Sequence, residues 1–441
     1  MLLNWLKYVL KGLLLLVPAI TMPQLQAQQI FITAGQGKVY ASFENRIDAL
    51  VMMNGLASTA ELKIDTDATV LSTEWYEYYN QRFHALPIYL SNQSTLQPED
   101  NCGYLVKITG NRDGQPYTQM VTVFVIDYLK HRPSDLQLVA NQTTSCERLS
   151  LTLTGTVPEM NYATSNGLIY PVKRYWMLDY ETLEWKEQWA GKTIILQVGL
   201  DDKQSVEVAD APLKDTYFTL KGDQYATDLG LAPISVTSTL YAARRVSCKI
   251  TTRATVRTEK HESDRPQSVT AISGSAPLEI RFKANGNEPV ANYYNWTIYE
   301  GDRLVLSRTD EEHSYTFLQA GTFIVKVRAE NSFCSHTDSL VIKISESAIS
   351  APNVFTPNGD EINDEFRVSY KSIVEFQAVI FNRWGTKIYE WTDIQKGWDG
   401  THNGKAVSEG PYFYVIRAKG SDGQVYNLKG DINLLRGKKG L

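Results

Sequence analysis

The sequence predicts an all-β protein made of tandem β-sandwich domains. Three observations carry this. Apolar side chains recur with a period of two, and helical stripes are nearly absent. Asn-Gly, Asp-Gly and Gly-Asp turns punctuate those runs. The chain has 441 residues, which corresponds to about three or four domains. A hydrophobic fraction of 43% is enough to fill several cores. Lys+Arg 44 against Asp+Glu 49 gives a net charge of −5, without the concentrated basic face of a nucleic-acid binder.

The elements follow in chain order. Lys7 and Lys11 precede the apolar run 13–17, Pro18 breaks it, and Leu25-Gln26-Ala27 closes the segment. This is the pattern of a secretory signal peptide over residues 1–27. The run is too short to cross about 30 Å of hydrocarbon, and no later stretch is apolar enough, so no transmembrane span is expected. A first β-sandwich, Ig-like, is expected over 28–134; the run 120–126 (M-V-T-V-F-V-I) reads as a buried strand. A second sandwich is expected over 135–262, where 149–153 (L-S-L-T-L) alternates cleanly. The charged stretch 258–267 reads as a linker. A third sandwich follows over 263–347, with 323–329 alternating, and a fourth over 350–441, with 379–381 and 412–416 as core strands.

Four cysteines, Cys102, Cys146, Cys248 and Cys334, fall in the exported part. An even number in an exported chain favours disulfides, and the wide spacing excludes a CxxC site. Cys146–Cys248 is the preferred pairing, because both lie at the edges of one expected domain. Cys102 and Cys334 then either join separate domains or stay as thiols.

The chemistry-bearing residues do not assemble into an enzyme signature. The six histidines include no HExxH pair, and no nucleophile elbow occurs. Gly191-Lys192-Thr193 lacks the upstream glycine of a phosphate loop, since Lys186 holds its place. The expectation is a non-enzymatic protein without cofactors. The patch Trp75-Tyr76-Glu77-Tyr78-Tyr79 admits core packing, a protein interface or a glycan-stacking face, with Trp75, Tyr76 and Tyr78 as contact candidates. The loop P-N-G-D-E-I-N-D-E, residues 357–365, is rich in oxygen ligands. It fails the EF-hand spacing, and Asn and Asp also build turns by bonding their own backbone. No metal is expected; Asp360, Asn363 and Asp364 are the weak candidates.

Two stretches resemble known families. Y-N-W-T-I-Y-E-G-D (294–302), Y-T-F (315–317) and A-G-T-F-I-V-K-V-R-A-E-N (320–331) resemble a PKD domain, an Ig-like cell-surface spacer. P-N-V-F-T-P-N-G-D (352–360), N-D-E-F (363–366), F-N-R-W-G (381–385), G-W-D-G (397–400), G-P-Y-F-Y-V-I (410–416) and K-G (429–430) with Leu434 and Arg436 resemble the gliding motility-associated C-terminal domain. That family is also described as the type B sorting domain of the type IX secretion system of Bacteroidetes. Glu361 stands where the family often has Gly. The resemblance over 351–436 implies a folded sorting signal read by an outer-membrane export machine. It also implies a PorP/SprF-type β-barrel as partner, alongside other type IX components. Arg383, Trp384, Arg436, Lys438 and Lys439 are the contact candidates. The expected role is an exported binding protein at the outer membrane, on the cell surface or the periplasmic face, either surface-retained cargo or an accessory part of the apparatus. The alternatives are a glycan-binding adhesin and a secreted hydrolase.

Overall fold

The computed structural model describes residues 29–66, 68–141, 145–200 and 204–436. The signal peptide, Lys438 and Lys439 lie outside them. The described residues are strands joined by turns, in four successive sandwich-like units. No helix among them is long and apolar enough to cross a membrane.

In the first unit a three-stranded sheet (Gln29–Ala34, Glu61–Asp65, Thr95–Leu96) faces a six-stranded one. The larger sheet runs Gly37–Ala41, Ala49–Met53, Gln115–Asp127, Cys102–Arg112, Thr69–Asn80, Arg82–Ser91. Ala49–Met53 is buried at every position, which a strand with one wet face cannot be. Ala49, Val51 and Met53 fill the unit's own core. Leu50 and Met52 turn the other way, into a second core shared with Met160, Tyr162, Val172 and Tyr225 of the next unit.

That shared core carries a buried ion pair. Arg174 Nη1 lies 3.2 Å from Asp223 Oδ2, and the Tyr128 hydroxyl donates to Asp223 Oδ1 at 2.9 Å. Arg174 Nη2 also donates to the carbonyls of His131 and Pro158, each at 2.7 Å. A buried charge pair is costly unless hydrogen bonds offset its desolvation, and both units contribute such bonds here.

The second unit packs Ser134–Asn141, Leu149–Thr156 and Ser205–Val208 against the sheet Trp189–Val198, Trp176–Trp185, Thr219–Gly222, Ile234–Thr237. Trp176, Leu178 and Phe218 meet Leu151 and Leu153 between the sheets.

The third unit starts earlier than the expected boundary at 262/263. Cys248–Ala254 pairs along its whole length with Leu278–Gly286, and Cys248 and Ala254 are sealed in the core around Trp296. A strand belongs to the sheet that satisfies its backbone groups, whatever the charge of the segment that follows it. Its second sheet runs Ser273–Ser275, Ser335–Ser345, Gly321–Glu330, Tyr293–Glu300, Arg303–Arg308.

The expected linker is also docked rather than solvated. Glu262 is buried and accepts from Arg257 Nη2 at 2.9 Å, Ser275 Oγ at 3.3 Å and Ser372 N at 3.2 Å. These bonds tie linker, third unit and fourth unit at one point. Tyr370 donates its hydroxyl to Lys260 O at 3.1 Å, and Tyr426 donates to Ser347 O at 2.7 Å.

The disulfide corrects the preferred pairing. Cys146 is bonded to Cys334, 188 residues away, with Cα atoms 5.8 Å apart. Cys248 is instead a buried thiol, because its strand lies inside the third unit's core. Burial pushes its pKa up to about 11 and that of the Cys102 thiol to about 12. The bridge therefore fastens the second unit to the third. Trp189 Nε1 bonding to Asn285 O (3.1 Å) and Asn287 Nδ2 bonding to Leu213 O (2.7 Å) support the same joint.

The fourth unit has a five-stranded sheet ordered Val354–Phe355, Val425–Leu434, Gly410–Gly420, Ile373–Phe381, Lys387–Trp391. One face packs Ala378, Ile380, Ile416 and Ile432 against Phe355, Phe366 and Trp398.

Candidate functional site

The fourth unit brings most of the sequence-predicted residues into one module. Its entry loop is organised by Asp364. One carboxylate oxygen accepts from Asn358 N (2.8 Å) and Gly359 N (2.7 Å), the other from Glu361 N (2.8 Å). These backbone donors, Gly359 foremost, hold the Asp364 carboxyl below the usual carboxylate range. Asp360 accepts from Ile362 N at 2.9 Å, and Asn358 Oδ1 accepts from Asp360 N at 3.0 Å. The backbone of Asn363 accepts from Thr356 N at 2.9 Å. The loop's carboxylates thus cap its own turns. No cluster of three His, Cys, Asp or Glu suited to a metal exists among the described residues. Glu361 adopts φ +67°, a left-handed conformation that a glycine would take without strain.

Arg383 and Trp384 sit together on the turn 382–385. Asn382 Oδ1 accepts from Trp384 N at 3.0 Å and Thr386 N at 2.9 Å, which fixes the turn. The Arg383 guanidinium stacks 4.3 Å from the Trp384 ring centroid. Trp384 is 75% exposed, so it does not cover the end of the sandwich. Trp398, by contrast, is fully buried and donates its indole N–H to Thr401 O at 2.8 Å.

Arg436 is half-buried. Its guanidinium donates to Val407 O and, at 2.9 Å, to Gly400 O, while its backbone N–H meets Glu409 at 2.5 Å. Phe381 pairs with Phe413 and Leu434 with Gly410, so Arg383 and Arg436, each two residues further on, lie at the same end of the sheet. Arg436 stitches the last strand to the turn at Gly400, whereas Arg383 and Trp384 face solvent.

Where linker and entry loop meet, a groove of about 910 Å³ is lined by Lys260, His261, Glu361, Glu365 and Arg367. Arg367 joins its two sides, with Nη1 2.6 Å from His261 Nε2 and Nη2 2.6 Å from Glu365. Burial, then Arg367 and Lys260, lower the His261 pKa. The Arg367–His261 contact links the linker to the entry loop across the groove.

Two of the three aromatic contact candidates of the first unit, Trp75 and Tyr78, fall out of the contact set. Trp75 and Tyr78 are both 0% exposed. Trp75 donates to Gln93 O at 3.0 Å inside the first core, and Tyr78 donates to Ala163 O at 2.8 Å across the junction with the second unit. Register shifts along Thr69–Asn80 let one strand feed two cores. Tyr76 is half-buried, donating to Glu74 at 2.6 Å beside the exposed Tyr89 ring.

The expected core strand 412–416 has one core face and one outer face. Tyr412 and Ile416 are core, but Phe413 is 44% and Val415 40% exposed on the sheet's outer side. The alternation within that run was the signal that could have separated them.

Comparison with known proteins agrees with this layout. Residues 349–434 match the CHU_C type IX secretion signal domain, and residues 138–238 match a fibronectin type III domain. No curated protein matches the chain. Among solved structures, the chain resembles a tetra-tandem repeat in the extending region of a large adhesion protein at 12% identity, covering 88% of this chain and 98% of that one, TM-score 0.22. It resembles the three N-terminal domains of the bacteriophage RB49 highly immunogenic outer capsid protein at 12% identity, covering 69% and 99%, TM-score 0.20. It also resembles a Ca²⁺-stabilized, ice-binding adhesin of an Antarctic bacterium at 11% identity, covering 92% and 100%, TM-score 0.20. Such TM-scores carry no functional weight. The chain is a tandem of β-sandwich modules, one of them fibronectin type III-like, that carries a type IX secretion signal domain at residues 349–434.

Proposed function

We propose that this protein is a non-enzymatic binding protein exported by the type IX secretion system and retained at the outer membrane by a PorP/SprF-type barrel. The observation that supports this most is the signal-domain match over a self-contained module with its own core. The modules before it act as a stalk that presents binding surfaces, stiffened by the shared core, the Arg174–Asp223 pair and the Cys146–Cys334 bridge. Retention as cargo fits the presence of a sorting signal; an accessory role in the apparatus predicts in addition that other cargo depends on this chain.

The test is a chain ended before Ile349, compared with the full chain in the exporting cell. The shortened chain is expected to stay inside the outer membrane and to lose the barrel on affinity purification. Normal surface delivery of the shortened chain would sink the reading. A block in the export of other cargo on deletion of the gene would replace cargo by apparatus.

A further inference from the structure

The outer face of the fourth unit's five-stranded sheet is left open by the described residues. Cross-strand register puts Phe381 beside Phe413 and Val379 beside Val415, two adjacent apolar rows at mid-sheet. Phe413 and Val415 are exposed, and the exposed Trp384 stands just beyond the Phe381 end. A flat apolar patch with aromatic anchors in the middle of a rigid sheet is the composition of a protein-interface centre.

The rim decides what kind of partner fits. Glu375 is paired with Lys419 at 3.2 Å, and Glu390 with Lys387 at 2.8 Å, so those acids are neutralised. Arg417 and Lys429, which flank Val415, form no ion pair among the described residues. Arg383 has only its ring contact with Trp384. Asp431 lies directly across from Phe413 and is the one acid of the rim without an ion pair among the described residues. The uncompensated rim is therefore predominantly basic. A second copy of the same face would bring like charges together. A lipid headgroup layer would set phosphates against Asp431. A protein surface can pair both signs.

We propose that this face is the docking surface of the signal domain, and that its occupant is a protein patch that is apolar at the centre and mainly acidic at the rim. The inference rests on the sorting reading above and adds to it the face that is gripped. Arg383 and Trp384 belong to its edge. Arg436 does not contribute directly, since its guanidinium is engaged inside the module.

The test uses the full chain in the exporting cell, in four forms: Phe413→Asp with Val415→Asp, Arg417→Glu with Lys429→Glu, Lys326→Glu on the matching face of the third unit, and the chain ended before Ile349. Surface delivery is read by protease accessibility, and the purified full-length variants are checked by melting, sedimentation and binding to vesicles of phosphatidylcholine with phosphatidylglycerol. The apolar variant is expected to lose surface delivery roughly tenfold, and the charge reversal roughly threefold. Lys326→Glu should deliver normally, and the two face variants should melt like the parent because the altered side chains are exposed. If the apolar variant misfolds, the charge reversal alone decides. Normal delivery of both face variants beside a retained shortened chain would overturn the face and leave the sorting reading intact. Normal delivery of the shortened chain would overturn both. Self-association or vesicle binding of the parent that disappears in the apolar variant would overturn the stated occupant in favour of a second copy or a lipid surface.

Discussion

The third and fourth units carry five-stranded sheets of the same order. In each, a short first strand lies parallel to the last strand, which pairs with the penultimate one, which pairs with a central strand and its hairpin partner. Their inner faces also agree: Trp296 fills one core and Trp398 the other. The outer faces differ. In the third unit the apolar row Tyr299–Ile324–Val341 is followed by the polar rows Thr297–Lys326–Ser339 and Asn295–Arg328–Thr337. In the fourth the equivalent row begins Phe381–Phe413, and the row after it, Val379–Val415, is apolar as well. A shared architecture constrains the inner face by packing and leaves the outer face to be set by contact with something else.

The two units also differ in how they are held. The third is fastened covalently to the second, and the fourth is docked by hydrogen bonds, one of them from Ser372 N to the buried Glu262 that pairs with Arg257. The largest effect should come from breaking that asymmetry. Cys146→Ser is expected to destabilise the joined second and third units by up to roughly 5 kcal/mol in the chain-entropy picture, seen as a lower melting temperature that reductant no longer shifts. An equal fall in the fourth unit's own transition would mean that the units do not melt separately.

The next test sharpens the similarity. Trp296→Ala and Trp398→Ala should each cost about 3–5 kcal/mol, because each removes a fully buried ring from a comparable core. Denaturant titration of the two variants should give similar losses; a small loss in only one would show that its core relaxes around the gap.

A smaller effect is expected at the joint. Glu262→Gln takes from the buried Arg257 guanidinium its nearer carboxylate and leaves Glu259 at 3.9 Å, a cost of up to about 3 kcal/mol. Hydrogen exchange should then rise at Ser372 N and Ser263 N, which bond across this contact, while the inner strands of both sheets stay protected.

The smallest concerns the entry loop. The Asp364 carboxyl has its pKa lowered in the folded state, so its contribution is present above the unfolded value of about 4 and disappears as pH falls through the folded value. Asp364→Asn should therefore flatten the acid limb of the fourth unit's stability, with the difference from the parent vanishing below the folded-state pKa of Asp364. A steeper acid limb in the variant would contradict the assigned caps.

Much was legible in particular residues. The alternation at 323–329 and 412–416 placed strands, and the ordered motifs between 352 and 436 identified the signal domain before any coordinates. The oxygen-rich loop was legible as a turn, because Asn and Asp beside Gly bond their own backbone. Three features were not legible. Cys146 pairs with Cys334 rather than Cys248, Cys248–Ala254 belongs to the third unit, and Trp75 and Tyr78 are packed away.

The reason is common to all three. Period-two patterning is a local property of the chain, and by itself it determined which side chains share a face and where the strands turn. Whether a face is then covered depends on which sheet or neighbouring module arrives against it, and that is settled by contacts between residues tens to hundreds of positions apart. Tyr78 became core because the second unit closed over it; Phe413, on a strand equally apolar, is covered by no other unit among the described residues and stays at the surface.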